Sequence, residues 1–165
     1  MPTQPVVSES HFEYSLSELT RYPDLFAIHR VWKDRNRRGE SSEIGIGDIP
    51  ATLLPTVMLI EMTSDRSDAT IRLAGTFCCE LHGGELRGKS VSDFFLRKDA
   101  EQVIAAMNHC IDAETPSLAE RQYVTLDGDD WGYVRLLLPQ PDKDGRKRLF
   151  KAMDRSTIYH LTGLK

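Results

Sequence analysis

The sequence predicts an α+β protein: a five-stranded antiparallel sheet with helices on one face and a helical extension at the N-terminus. Three observations lead there. Val57–Thr76 reads as strand, turn, strand, Gly-Thr. Arg97–Ala113 is a long amphipathic helix that separates two groups of strands. Residues 119–153 hold three further strands divided by turn chemistry. Strands joined by tight turns are antiparallel neighbours, so segment 76–116 must carry the chain across the sheet.

Residues 1–20 have weak periodicity and two prolines, and read as a loosely ordered arm. Pro23-Asp24 opens a helix to about Arg38, with Leu25, Ile28, His29 and Trp32 on one stripe. Gly39 stops it, and Arg35, Arg37 and Arg38 complement its dipole. The basic run around these residues reads as a solvated helix end rather than a nucleic-acid patch. Asp48 is placed to cap a short helix, Ile49–Leu54, that Pro55 ends.

Val57–Met62 and Thr70–Ala74 then form a hairpin around Ser64–Asp68. Alternation puts Ile71 and Leu73 on one side of the second strand. Gly75 lets the chain bend away. Thr76 is placed to cap a short helix, Phe77–His82, which Gly83-Gly84 ends. On the long helix Val103, Ile104, Met107, Cys110 and Ile111 share a face, and His109 lies opposite. The last strands are Ala119–Leu126, Trp131–Leu138 and Arg148–Met153, with Pro139–Gly145 as a turn. The organisation is an arm (1–20), a helical extension (21–55), the sheet domain (56–155) and a tail (156–165), the tail forming a further helical turn around Ile158 and Leu161.

Composition narrows the function. The 165 residues suit one domain, with 40% hydrophobic and 28% charged side chains. A net charge of −4 gives no bulk attraction to nucleic acid or anionic membrane. No apolar run spans a membrane, and the polar N-terminus does not read as a secretory signal. Cys78, Cys79 and Cys110 then read as reduced cytoplasmic thiols. They lack metal-ligand spacing, and no GxSxG, HExxH or Walker loop is present, so no enzyme is predicted.

The element order resembles a PAS domain, and the motifs resemble the bacterial single-domain PAS_5 family. The matching stretches are Trp32 with its basic helix end, Asp48–Met62, Ile71–Thr76, Gly83–Val91 and Tyr133–Pro139. The resemblance spans about residues 22–155. It implies a sheet whose first strand is central beside the last, and a small-molecule pocket between the sheet and the crossover helices. The pocket candidates it implies are Met58 and Ile60 on the first strand and Leu73 on the second. Phe77, His82, Phe94 and Met107 would come from the crossover, and Tyr123 and Arg135 from the final three strands.

The resemblance leaves the cofactor unknown. LOV-type flavin domains carry GxNCRFLQ where this chain reads FCCELHGG, so a photochemical flavin is not expected. A haem-binding His would have to face inward from the long helix, and His109 faces out. His82 is the better candidate for a polar ligand contact, although a capping or surface His is the plainer reading. Burial statistics place Arg72 and Arg135 on the solvent face. Either one pointing inward would need an anionic partner, ligand or carboxylate.

Three functions follow. The first is a sensory module that binds a small molecule and signals by contact with a protein. The second is a ligand-free adaptor, its core filled by Met58, Met62, Phe77, Phe94 and Met107 and its first helix forming a homodimer through Leu25, Ile28 and Trp32. The third is a redox sensor built on Cys78, Cys79 and the histidines.

Overall fold

The first strand of the sheet is one that sequence periodicity does not reveal. The structure, a computed structural model, describes residues 6–95, 97–125 and 130–160, with side chains over 11–95, 97–122 and 131–158. Val6–Tyr14 forms β1, paired antiparallel with β4 (Ser117–Thr125) from Val6–Thr125 to Tyr14–Leu118. The arm expected over residues 1–20 is therefore corrected: residues 6–14 are an edge strand and Leu16–Arg21 is a 3-10 turn. The alternation is hidden because inward positions of β1 carry His11 and Glu13 instead of apolar side chains.

The remaining elements are α1 (Pro23–Arg37), β2 (Met58–Met62), β3 (Ala69–Ala74) and α2 (Thr76–Leu81). Then come α3 (Val91–Phe94), α4 (Arg97–Ala113), β5 (Asp130–Lys143) and β6 (Arg146–His160). The sheet runs β1-β4-β5-β6-β2-β3, six strands instead of five, each pair antiparallel. β2 thus lies beside β6 near the middle. The β5–β6 hairpin is longer than expected: β5 continues through Pro139–Lys143, and only Asp144-Gly145, both at positive φ (53° and 75°), make the turn. Residues 156–160, expected in a helical turn, belong to β6.

Both faces of the sheet are covered. The inner face meets α2, α3 and α4 through Ile60, Ile71, Phe94, Val103, Met107 and Leu137. The outer face packs Val134, Leu136, Leu138 and Phe150 against Leu25, Ile28 and Trp32 of α1. These two sets are the alternate residues of β5, each buried on its own side. The helical extension 21–55 is therefore a layer of the same fold. The assignment of Leu25, Ile28 and Trp32 to a dimer contact is corrected too: Leu25 and Ile28 are fully buried within the chain, and Trp32 Nε1 donates to the Pro139 carbonyl at 2.7 Å.

Between α1 and β2 the expected helix Ile49–Leu54 is replaced by two 3-10 turns, Ile46–Asp48 and Leu54–Thr56. Asp48 does not cap the following residues. Its carboxylate accepts two 2.8 Å bonds from Arg35 and one of 2.9 Å from the Gly45 amide, which ties the loop to α1. These bonds, led by those from Arg35, hold the Asp48 carboxyl below its usual range despite partial burial.

Candidate functional site: the cavity under the crossover helices

The crossover begins at a close backbone contact. The Gly75 amide donates to the Val57 carbonyl at 2.8 Å, and a Cβ on Gly75 would lie 2.3 Å from the Pro55 carbonyl oxygen. Glycine is required there by the approach of a second backbone, since its φ of −66° is ordinary. Gly75, not Thr76, is the N-cap of α2. The helix ends as expected at Gly83, at φ +75°. Gly83 N–H donates to Glu80 and Gly84 N–H to Cys79, the paired bonds of a Schellman motif. This cap leaves His82 as the last residue before the reversal, and its ring turns inward.

His82 packs edge-on to three rings, with centroids 5.1 Å from Phe94, 6.0 Å from Phe95 and 5.5 Å from Trp131. His82, Phe94 and Phe95, together with Val91, Val103 and Met107, roof a cavity of about 20 Å³, room for about one water. Its floor is the inner face of the sheet: Met58, Ile60, Ile71 and Leu137, together with the cations Arg121, Arg135 and Lys151.

Six residues expected at the pocket are brought together here: Met58, Ile60, His82, Phe94, Met107 and Arg135. Leu73 is not among them. A bulge pairs Leu59 with Leu73 but Ile60 with Ile71, so Arg72 is an extra residue and the alternation reverses after it. Leu73 is left 44% exposed. Phe77 sits half-buried at the margin of the core, with the Arg155 guanidinium over its ring at 5.4 Å. The side chain of Tyr123 lies outside the described residues. Lys151 and Arg121 escape sequence reading because each looks like a solvent-face strand cation. Lys151 does, however, alternate with Leu149 and Met153, which both point inward.

The two strand arginines part company. Arg72 is exposed and donates to Glu61 at 2.6 Å, as a solvent-face residue should. Arg135, expected on that face, is fully buried. Its Nη1 donates to both the carbonyl and the hydroxyl of Ser117 at 2.8 Å. The Ser117 hydroxyl in turn donates to Glu13, which also bonds His11 at 2.9 Å. Burial pushes the Glu13 carboxyl up, but the bonds from His11 and Ser117 and the Arg135 charge together hold it down at about 2. Ala119, between Glu13 and Arg135 in the register, is too short to keep them apart.

Lys151 Nζ donates to the Tyr133 hydroxyl at 2.7 Å and lies 4.9 Å from the ring centre. Burial, and then the Lys151 charge, press His82 down to about 3, so its imidazole is neutral at ordinary pH. The thiols are pushed the other way. Burial raises Cys78 to about 11 and Cys110 to about 12, and raises Cys79 as well. Thiols held protonated are poor nucleophiles. His109 is exposed on the outer side of α4. No helix among the described residues is long and apolar enough to cross a membrane.

An antiparallel sheet, a helical crossover beginning at a close Gly contact, and a small space between them are the arrangement of a PAS domain. A family model described as a PAS domain, PAS_5, matches residues 25–153, and the chain belongs to this family. Solved structures of Vivid are similar in outline. One, described as the photo-excited blue-light photoreceptor, has a TM-score of 0.47 and 13% identity, covering 76% of this chain and 92% of that one. A variant of the same fungal photoreceptor gives 0.47 and 12%, covering 76% and 91%. A comparison with curated proteins found no match.

Proposed function

We propose that this chain is a non-enzymatic regulatory PAS module that takes a small molecule into the cavity under α2–α4 and signals its occupancy to a protein partner. The observation that supports this is the company Arg135 keeps. Two buried guanidiniums, an ammonium and an imidazole border a space otherwise walled by Met, Ile, Val, Leu and Phe. A core built for stability alone gains nothing from buried charges, because apolar replacements of similar volume are often as stable or more so. Convergent polar groups in an apolar enclosure are what a small-molecule site needs for orientation.

The adaptor reading rests on a different observation. Met58, Met62, Phe94 and Met107 are all buried, and the cavity of about 20 Å³ is small. In that reading the domain works through its surface. A dimer would then use a face other than the apolar stripe of α1, which the sheet already occupies. Native and denaturing mass spectrometry of freshly purified protein separates the two. Small-molecule sensing predicts an added mass that disappears on denaturation. A bare mass at every collision energy, together with a stable oligomer, would favour the adaptor.

A further inference from the structure

We infer that the molecule taken into the cavity is a small organic anion, a short-chain carboxylate with its head among Arg135, Lys151 and Arg121 and its carbon tail against Met58, Ile60 and Met107. The inference rests on the reading that the cavity takes a small molecule at all.

The sheet register places these side chains. Arg121 is directly opposite Tyr133, and Arg135 follows two residues later on the same face of β5. Lys151 pairs with Leu137 on one side, and its ammonium donates to the Tyr133 hydroxyl, on the strand that carries Arg135. Three cationic side chains therefore gather around one tyrosine. The apolar lining comes from Met58 and Ile60 of β2, Met58 lying directly opposite the backbone of Lys151, and from Met107 of α4. Among the described residues lining the cavity, three are cationic and none is acidic. Glu13 stands beyond Ser117, on the far side of Arg135.

Arg135 and Lys151 are also bonded within the protein, so a carboxylate here joins an existing network. Bonds between ionised partners are about twice as strong as neutral ones, and the apolar enclosure strengthens the attraction further. The apolar lining favours an anion with a carbon tail over an inorganic one. The cavity of about 20 Å³ holds about one water, so a short anion enters only as the flexible, unbranched side chains of Met58 and Met107 move aside.

The test is thermal unfolding of the full chain in sodium butyrate, with butyramide as the neutral isostere and sodium chloride at matched ionic strength. Butyrate at ten times its Kd is expected to raise Tm by about 3–5 °C, and butyramide and chloride to leave it unchanged. Met107→Trp, which fills the cavity, is expected to abolish the shift, and Lys151→Met to weaken binding about tenfold. In wild-type protein, butyrate should also move the 13C-methyl signals of Met58 and Met107 ahead of those of Met62 and Met153, a readout that needs no variant. Equal stabilisation by butyramide would overturn the anionic class while leaving the cavity reading intact. A butyrate shift that survives Met107→Trp, or that moves no Met58 or Met107 signal, would place the carboxylate elsewhere and overturn the assignment. No shift with butyrate also overturns it, and the fate of the cavity reading then lies with the co-purified mass.

Discussion

His82 is enclosed by three aromatic rings and held neutral, with its proton affinity pressed down to about 3 by burial and the Lys151 charge. Unfolding returns it to its ordinary value near 6.5. Between those values the unfolded chain binds more protons than the folded one, so stability falls as pH drops below 6.5. One such group contributes about 1.4 kcal/mol per pH unit. Urea unfolding from pH 7.5 to 5 should show this decline, and His82→Phe should make it shallower, leaving the smaller part due to half-buried His29, which burial also pushes down. Glu13 adds nothing to that window. Its folded value of about 2 lies below its ordinary 4.5, so its contribution is complete above 4.5 and is lost only as pH falls toward 2. Gly75 is the other residue on which the site depends. Gly75→Ala would drive a methyl group into the Pro55 carbonyl and shift the start of α2. A loss of about 2–3 kcal/mol is expected in urea, against less than about 0.5 kcal/mol for Gly47→Ala, where a Cβ meets open space.

Among the elements, α1 shows how far periodicity carries. Its stripe of Leu25, Ile28 and Trp32 is legible in the sequence, and all three are buried. What covers the stripe is not legible, because a partner chain and the chain's own sheet satisfy an apolar face equally well. The alternate residues Val134, Leu136 and Leu138 of β5 are that cover. Trp32→Glu is therefore expected to lose about 3–5 kcal/mol of stability in urea and not merely to dissociate an oligomer. A folded variant of wild-type stability would return α1 to the role of a free interface. The hairpin β2–β3 and helices α2 and α4 were legible for the ordinary reasons: Ile60 and Ile71 alternate, Gly83 stops a helix, and Val103, Met107 and Cys110 recur at helical spacing. β1 was not legible, since His11 and Glu13 occupy inward positions where a strand usually declares itself with apolar side chains. Nor was the fate of Leu73, because one extra residue at Arg72 inverts the phase and leaves no mark in the sequence.

At the scale of the whole molecule, one sheet divides two layers with different tasks. The outer layer is apolar and closed by α1. The inner layer is mixed: Met58, Ile60, Ile71 and Leu137 line the space from β2, β3 and β5, and single cations join them from β4, β5 and β6. A chain of net charge −4 thus gathers three positive side chains around one interior space. The sequence identified six of the residues at that space, but not Lys151 or Arg121, whose direction is set by strand register rather than by residue type. That this space is a binding site and not a filled core is the expectation on which the function rests. It is tested most directly by a crystal structure of protein taken from the cell with no ligand added. Continuous density for a small molecule bounded by Arg135, Lys151, His82 and Met107 is expected. Side chains of Met58, Phe94 and Met107 meeting across the space, with nothing between them, would contradict it.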